Sequence, residues 1–220
     1  MTKQQKTSAF LVSFFILLGA GFAFYYYYSS NGINRKPKVA IMSIPGQTIR
    51  PFSFVDQDGD TVTRDDMKGK VAVIEYFYTT CKSICPIMNE NMDKVYQAFR
   101  NSDDVIILSH TVDPKRDSVA ALKAYSMKFN ADSRVWKFLT GDKKALYDQA
   151  RYSYGMSTVD TSTSIEEDFI HTNVFVLVDK EGRLRMHMNA DGNPVAYDGT
   201  NAKSVADLIS DIKILQNEKD

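Results

Sequence analysis

Both cysteines of the chain lie in one short stretch, Thr79-Thr80-Cys81-Lys82-Ser83-Ile84-Cys85-Pro86, and what flanks them restricts the fold. Val71 to Tyr78 is mostly apolar and follows Gly69-Lys70, the pattern of a buried strand. Met88, Met92, Val95, Tyr96 and Phe99 then recur at helical spacing. Pro86 suits the first turn of a helix, where a backbone donor is unpaired anyway. The cysteines are therefore expected at a strand-to-helix turn, where open α/β sheets place their chemistry. The positive end of the helix would favour thiolate over thiol.

The two cysteines lie four positions apart, with three residues between them, so a helical segment would carry both sulfurs on one face. Such a pair can hold one soft metal ion, close a disulfide, or exchange electrons with another dithiol. A tetrahedral structural zinc site needs four ligands, and the sequence has no third cysteine. A third metal ligand would have to be a histidine, a methionine or something outside the chain. A disulfide closing so short a loop removes little entropy from the unfolded chain, so a functional dithiol outranks a structural staple.

Before this stretch the chain reads in three parts. Residues 1–8 form a polar tail with Lys3 and Lys6, expected on the cytoplasmic side, and 9–28 an uncharged transmembrane anchor. Tyr25 to Tyr28 would sit at the membrane interface. No clear small-x-small site follows, so an uncleaved anchor is expected rather than a signal peptide. Residues 29–38 are polar, with Gly32 and Pro37, and read as a linker. Residues 39–220 form the folded domain. The 27 basic and 27 acidic side chains cancel, which leaves no field for nucleic acid.

Within the domain, Phe52–Val55 and Thr61–Thr63 read as a hairpin whose acidic turn lacks calcium-loop spacing. Asp104 to Thr111 reads as a second buried strand. Asp113 to Asp117 is a turn and helix start, in which Asp113, Arg116 and Asp117 could cap and pair. Further elements are a strand near Trp136, a helix capped by Asp142 and ending near Tyr152, and a strand after His171. A hairpin over 183–189 and a helix over 202–215 close the chain. The polar run Met156–Asp168 reads as a mobile loop. Alternating strands and helices, with a dithiol opening the first helix, predict an α/β, thioredoxin-like fold: a mixed sheet with helices on both faces.

Tyr78-Thr79-Thr80-Cys81 to Cys85-Pro86, Val112-Asp113-Pro114-Lys115-Arg116-Asp117 and His171 before a strand, in this order, resemble the Sco/SenC family. The likeness runs from about Pro51 to Leu215. It implies a membrane-anchored, thioredoxin-like copper protein on the outer side of the membrane. Such a protein helps assemble the dinuclear copper (CuA) site of cytochrome c oxidase. By this resemblance Cys81, Cys85 and His171 are the copper ligands, for Cu(I) and for Cu(II). The implied partner is the copper-bearing subunit of the oxidase or another copper protein. The implied location is the inner membrane, single-pass, with a monomeric domain facing the periplasm or intermembrane space. A reductase, with Cys81 attacking and Cys85 resolving, and a tethered binding module without chemistry are the competing readings. His110 could reach the same sheet edge. His187 lies between Met186 and Met188, but strand alternation puts it on the opposite face from both. Met88 and Met92 read as core.

Overall fold

The computed structural model describes residues 3–28, 39–41, 48–156 and 172–218. His171 and nearly all of the polar run, 157–171, lie outside them. The chain forms two compact units, Met1–Lys38 and Val39–Asp220. The first contains α1 (Lys3–Tyr28), one helix with no acidic residue in its first turn and no basic residue in its last. Its uncharged stretch Phe10–Tyr27 is long and apolar enough to cross a membrane. At 1.5 Å per residue those 18 residues span about 27 Å, close to the roughly 30 Å of bilayer hydrocarbon.

The second unit is a mixed sheet. Its strands are β1 (Val39–Ile41), β4 (Val71–Phe77), β5 (Val105–Thr111), β6 (Trp136–Leu139), β7 (Val174–Val178) and β8 (Leu184–Met188), in the order β1-β8-β7-β4-β5-β6. β4, β5 and β6 run parallel, and β7, β8 and β1 follow antiparallel. β2 (Ser53–Val55) and β3 (Thr61–Thr63) make the expected hairpin. Two short strands were not legible in the sequence: β9 (Pro194–Val195) on β8 and β10 (Tyr197–Asp198) on β7.

Strand alternation divides the core. Val73, Phe77, Ile107, Trp136 and Leu177 face α2 (Ile84–Phe99), α3 (Val119–Ser126) and α5 (Ala202–Asn217). Ala72, Ile74, Tyr76, Leu108 and Val176 face the hairpin and α4 (Lys143–Tyr152). β4 and β5 are buried along their whole length, as strands covered on both faces must be. Met88 and Met92 are fully buried in the α2 side of this core. Truncating either to Ala should cost about 2–5 kcal/mol.

One local expectation changes. Asp117 does not open α3; Ser118 is its N-cap, accepting from the Ala121 amide, and α3 stops at Ser126. Met127, just past the helix, is 67% exposed in a single 3-10 turn. Asn130 ends that turn with a left-handed backbone.

Candidate functional site

The carboxyl end of β4 continues into a turn in which the Cys81 amide donates to the Tyr78 carbonyl at 3.2 Å. α2 starts only at Ile84, so Cys81 precedes the helix and Cys85 lies in its first turn. The two sulfurs therefore meet across a turn rather than along a helix face. Both cysteines are free: Cys85 is 4% exposed and Cys81 partly exposed. They line one small pocket together with Tyr76, Phe77, Tyr78, Ser83, Ile84, Val112 and Thr172. Thr172 comes to it from the far end of the chain, one residue after His171.

The two thiols are unequal. Burial opposes ionisation of Cys81, but the Cys85 thiol, the amides of Ser83 and Cys85 and the Ser83 hydroxyl all hydrogen-bond its sulfur. Together they bring Cys81 down from 9.0 to about 7. Ser83 Oγ lies 3.6 Å from that sulfur. The Tyr78 hydroxyl is bonded to it as well, which raises the phenol. Amides at the amino end of a helix solvate a thiolate in this way. Cys85 is pushed up to about 12, first by burial and then by its bond to Cys81. The helix-end effect expected from the sequence thus acts on Cys81, while burial overrides it at Cys85. At neutral pH Cys81 is about half thiolate while Cys85 keeps its proton; above about pH 8 the arrangement holds one thiolate and one thiol.

A buried network lies on the same face of the sheet. Glu75, in β4, is completely buried, and one of its carboxylate oxygens accepts from Ser109 at 2.5 Å. Ser109 in turn accepts from Trp136 Nε1 at 2.8 Å. The other oxygen, Oε2, has no partner among the described residues. Burial raises the Glu75 carboxyl to about 7, against the Ser109 bond.

The remaining candidates fall elsewhere. His110 is buried on the other face, stacked on Tyr76 with ring centroids 4.9 Å apart and edge-on to Phe54. Burial lowers it to about 3, so it is neutral and no neighbour of the dithiol. His187 bonds the Asp211 carboxylate at 2.8 Å, which also accepts from the Tyr197 hydroxyl, and so fastens β8 to α5. Met186 lines a separate apolar cavity with Tyr154, Met156 and Leu184. Among the described residues no three His, Cys, Asp or Glu side chains gather to hold a metal. Asp113 pairs with Arg116 at 3.6 Å. Sequence reasoning missed the part played by Asp117, which is completely buried and bonds Thr79, two residues before Cys81. It also missed the Tyr78 and Ser83 contacts to the sulfur. A polar residue between the cysteines and a tyrosine three before the first were the only signals.

The SCO1/SenC family model matches residues 42–204. The SCO1 protein homolog of Bacillus subtilis (strain 168) is 30% identical over 166 residues, 75% of this chain and 81% of that protein. Among solved structures, BsSco, described as a member of the Sco family of cytochrome c oxidase assembly proteins with a disulfide switch, is 28% identical. It superposes with a TM-score of 0.63 over 81% of this chain and 99% of its own. Bradyrhizobium japonicum ScoI, solved with copper bound, is 25% identical with a TM-score of 0.56, over 76% of this chain and 99% of its own.

Proposed function

Because the chain belongs to the SCO1/SenC family, we propose that it is a copper-binding protein that serves cytochrome c oxidase assembly, with Cys81, Cys85 and His171 as the copper ligands. The observation that carries this is the wall of the dithiol pocket. It includes Thr172, whose preceding residue is His171. One peptide link keeps consecutive Cα atoms about 3.8 Å apart, so a ligand at position 171 asks no long excursion of the chain from this pocket wall. Two thiolates and one imidazole suit Cu(I) and neutralise it, and three ligands leave a position open for handover. Cu(II), harder and fond of nitrogen, would rely more on the imidazole.

In this reading α1 is an uncleaved single-pass anchor in the inner membrane, with residues 1–8 in the cytoplasm and 29–38 as a linker. The domain from Val39 onward faces the periplasm or the intermembrane space. Its client is the copper-bearing subunit of the oxidase, and the reaction is transfer of the ion to, or preparation of, the CuA site. The family, and the relatives described with copper and as oxidase assembly proteins, support it.

A second reading has its own observation. A low thiol at Cys81 beside a high, buried thiol at Cys85 is the asymmetry of an attacking and a resolving cysteine. The Cys81 thiolate would attack a client disulfide, and the Cys85 sulfur would then displace the client thiol. This leaves the client dithiol reduced and Cys81–Cys85 oxidised. Copper binding and reductase action exclude each other at any instant, since copper needs the reduced pair.

The test is Cu(I) titration of the purified full-length protein in detergent, under reducing, anaerobic conditions. One ion should bind tightly. Cys81→Ala and Cys85→Ala should each abolish tight binding, and His171→Ala should weaken it while leaving a two-sulfur site. Unchanged affinity in either cysteine variant contradicts the ligand set.

A further inference from the structure

We propose that Asp117 is a positioning residue for Cys81: a buried carboxylate that sets the turn delivering this thiolate to copper. The inference rests on the copper reading above for its functional half and on the turn geometry for its structural half.

Asp117 has no exposure to solvent. Its Oδ2 accepts from the Thr79 amide at 3.1 Å and from the Thr111 hydroxyl, and its Oδ1 from the Thr79 hydroxyl. All three donors are neutral, and among the described residues no ion pair to Asp117 is formed; the neighbouring Arg116 pairs with Asp113 instead. A buried carboxylate held only by neutral donors carries a large desolvation cost. Its three bonds converge on two points, the end of β5 and Thr79.

Thr79 is the second residue of the turn closed by the bond from the Cys81 amide to the Tyr78 carbonyl. Fixing the amide and hydroxyl of that residue fixes the direction in which the chain presents Cys81. Asp117 is itself held in place, its amide donating to the Asp113 carbonyl at 2.9 Å, and the Asp113 amide donates to Thr111 Oγ1 at 2.9 Å. The Val112 amide donates to the Phe77 carbonyl at 2.9 Å, which ties the two strand ends beside the site. A turn so pinned holds the Cys81 sulfur in one place. A released turn would populate that place only part of the time, and apparent affinity falls by that fraction. Removing a partner that orients a metal ligand typically costs 10–100-fold in affinity.

Full-length Asp117→Asn, Thr79→Val, Thr79→Ser and the Asn/Val double variant test this, each read for Cu(I) affinity, amide exchange and melting temperature. Asp117→Asn should weaken Cu(I) about 10–100-fold, and in the copper-free protein should speed exchange of the Thr79 and Cys81 amides. Thr79→Val keeps the amide but not the hydroxyl, so it should weaken copper less. The double variant should be no weaker than Asp117→Asn alone, and Thr79→Ser should bind like the unaltered chain. If Asp117→Asn does not fold, Thr79→Val against Thr79→Ser carries the same comparison. Unchanged exchange at Cys81 overturns the proposal whatever copper does. A lower melting temperature with unchanged copper affinity in both Asp117→Asn and Thr79→Val also overturns it, leaving Asp117 a stability residue. Failure of the unaltered chain to bind copper overturns the copper reading and the functional half, while exchange still decides the turn.

Discussion

The unequal thiols predict how copper affinity depends on pH. Copper takes both sulfurs as thiolates, so each proton still on a sulfur must leave as the metal enters. Cys81 stands at about 7 and Cys85 at about 12. Between about pH 8 and 10 Cys81 is already ionised, and Cu(I) displaces one proton, from Cys85. Affinity should then rise about tenfold per pH unit, or about 1.4 kcal/mol. Below about pH 7 Cys81 holds its proton as well, and the two thiols alone should steepen the dependence toward two protons, about a hundredfold per unit, with any proton displaced from the His171 imidazole adding to it. The hydrogen bond between the sulfurs makes the two steps properties of the pair, but a gap from about 7 to about 12 keeps them separate. The assay is anaerobic competition of the full-length protein with a chromophoric Cu(I) chelator across this range, corrected for the chelator's own protonation. The Cys85→Ala variant, much weaker, should lose the slope above about pH 8. A flat affinity there in the unaltered chain, or an equal slope in Cys85→Ala, refutes the assignment of one thiolate and one thiol.

Near pH 8 roughly 90% of Cys81 but only about one part in 10,000 of Cys85 should be thiolate. After allowing for the weaker nucleophilicity of the lower thiol, iodoacetamide should label Cys81 roughly a hundredfold faster; equal labelling in a peptide map contradicts this. The folded Glu75 carboxyl, at about 7, lies above its ordinary value of 4.5, so its unfavourable contribution grows as pH rises from 4.5 to about 7. His110, at about 3 against 6.5, contributes stability present above pH 6.5 and lost as pH falls toward 3. In the shared window the two slopes oppose. Glu75→Gln should therefore unmask a loss of stability on acidification of about 1.4 kcal/mol per pH unit relative to the unaltered chain, measured by denaturant unfolding. Parallel pH profiles for the two proteins would refute the buried charge assignment. The uncharged stretch of α1 predicts retention in the membrane fraction after a carbonate wash; release, or a mature amino terminus beyond Tyr28, contradicts an uncleaved anchor.

The strands and helices that build the site were legible because their signals are local. β4 and α2 are written as an apolar run and a helical repeat, and Cys81 and Cys85 sit where one becomes the other. Asp142 and the Asp179–Gly182 turn punctuate the chain through short-range bonds that any reader of sequence can anticipate. β9 and β10, two residues each, have no periodicity to read; they pair with the end of β8 and the start of β7, which run past the pairing of those two strands with each other and of β7 with β4. Asp117 looked like a helix cap because caps are local. Its actual partners, Thr79 and Thr111, include one 38 residues away, and only the parallel pairing of β4 with β5 brings that one near. The same limit applied to His110, whose face of the sheet depends on strand register, and to the split between the thiols. Burial of Cys85 is a tertiary fact, whereas the helix-end effect on Cys81 could be foreseen.

One copper ion held by Cys81, Cys85 and His171 would be seen at once in the copper K-edge X-ray absorption spectrum of the Cu(I)-loaded full-length protein, recorded beside its His171→Ala variant. The unaltered chain should show two sulfur scatterers and one imidazole nitrogen, with the imidazole signal lost and both sulfurs kept in the variant. Identical spectra, or a single sulfur in the unaltered chain, would contradict that ligand set.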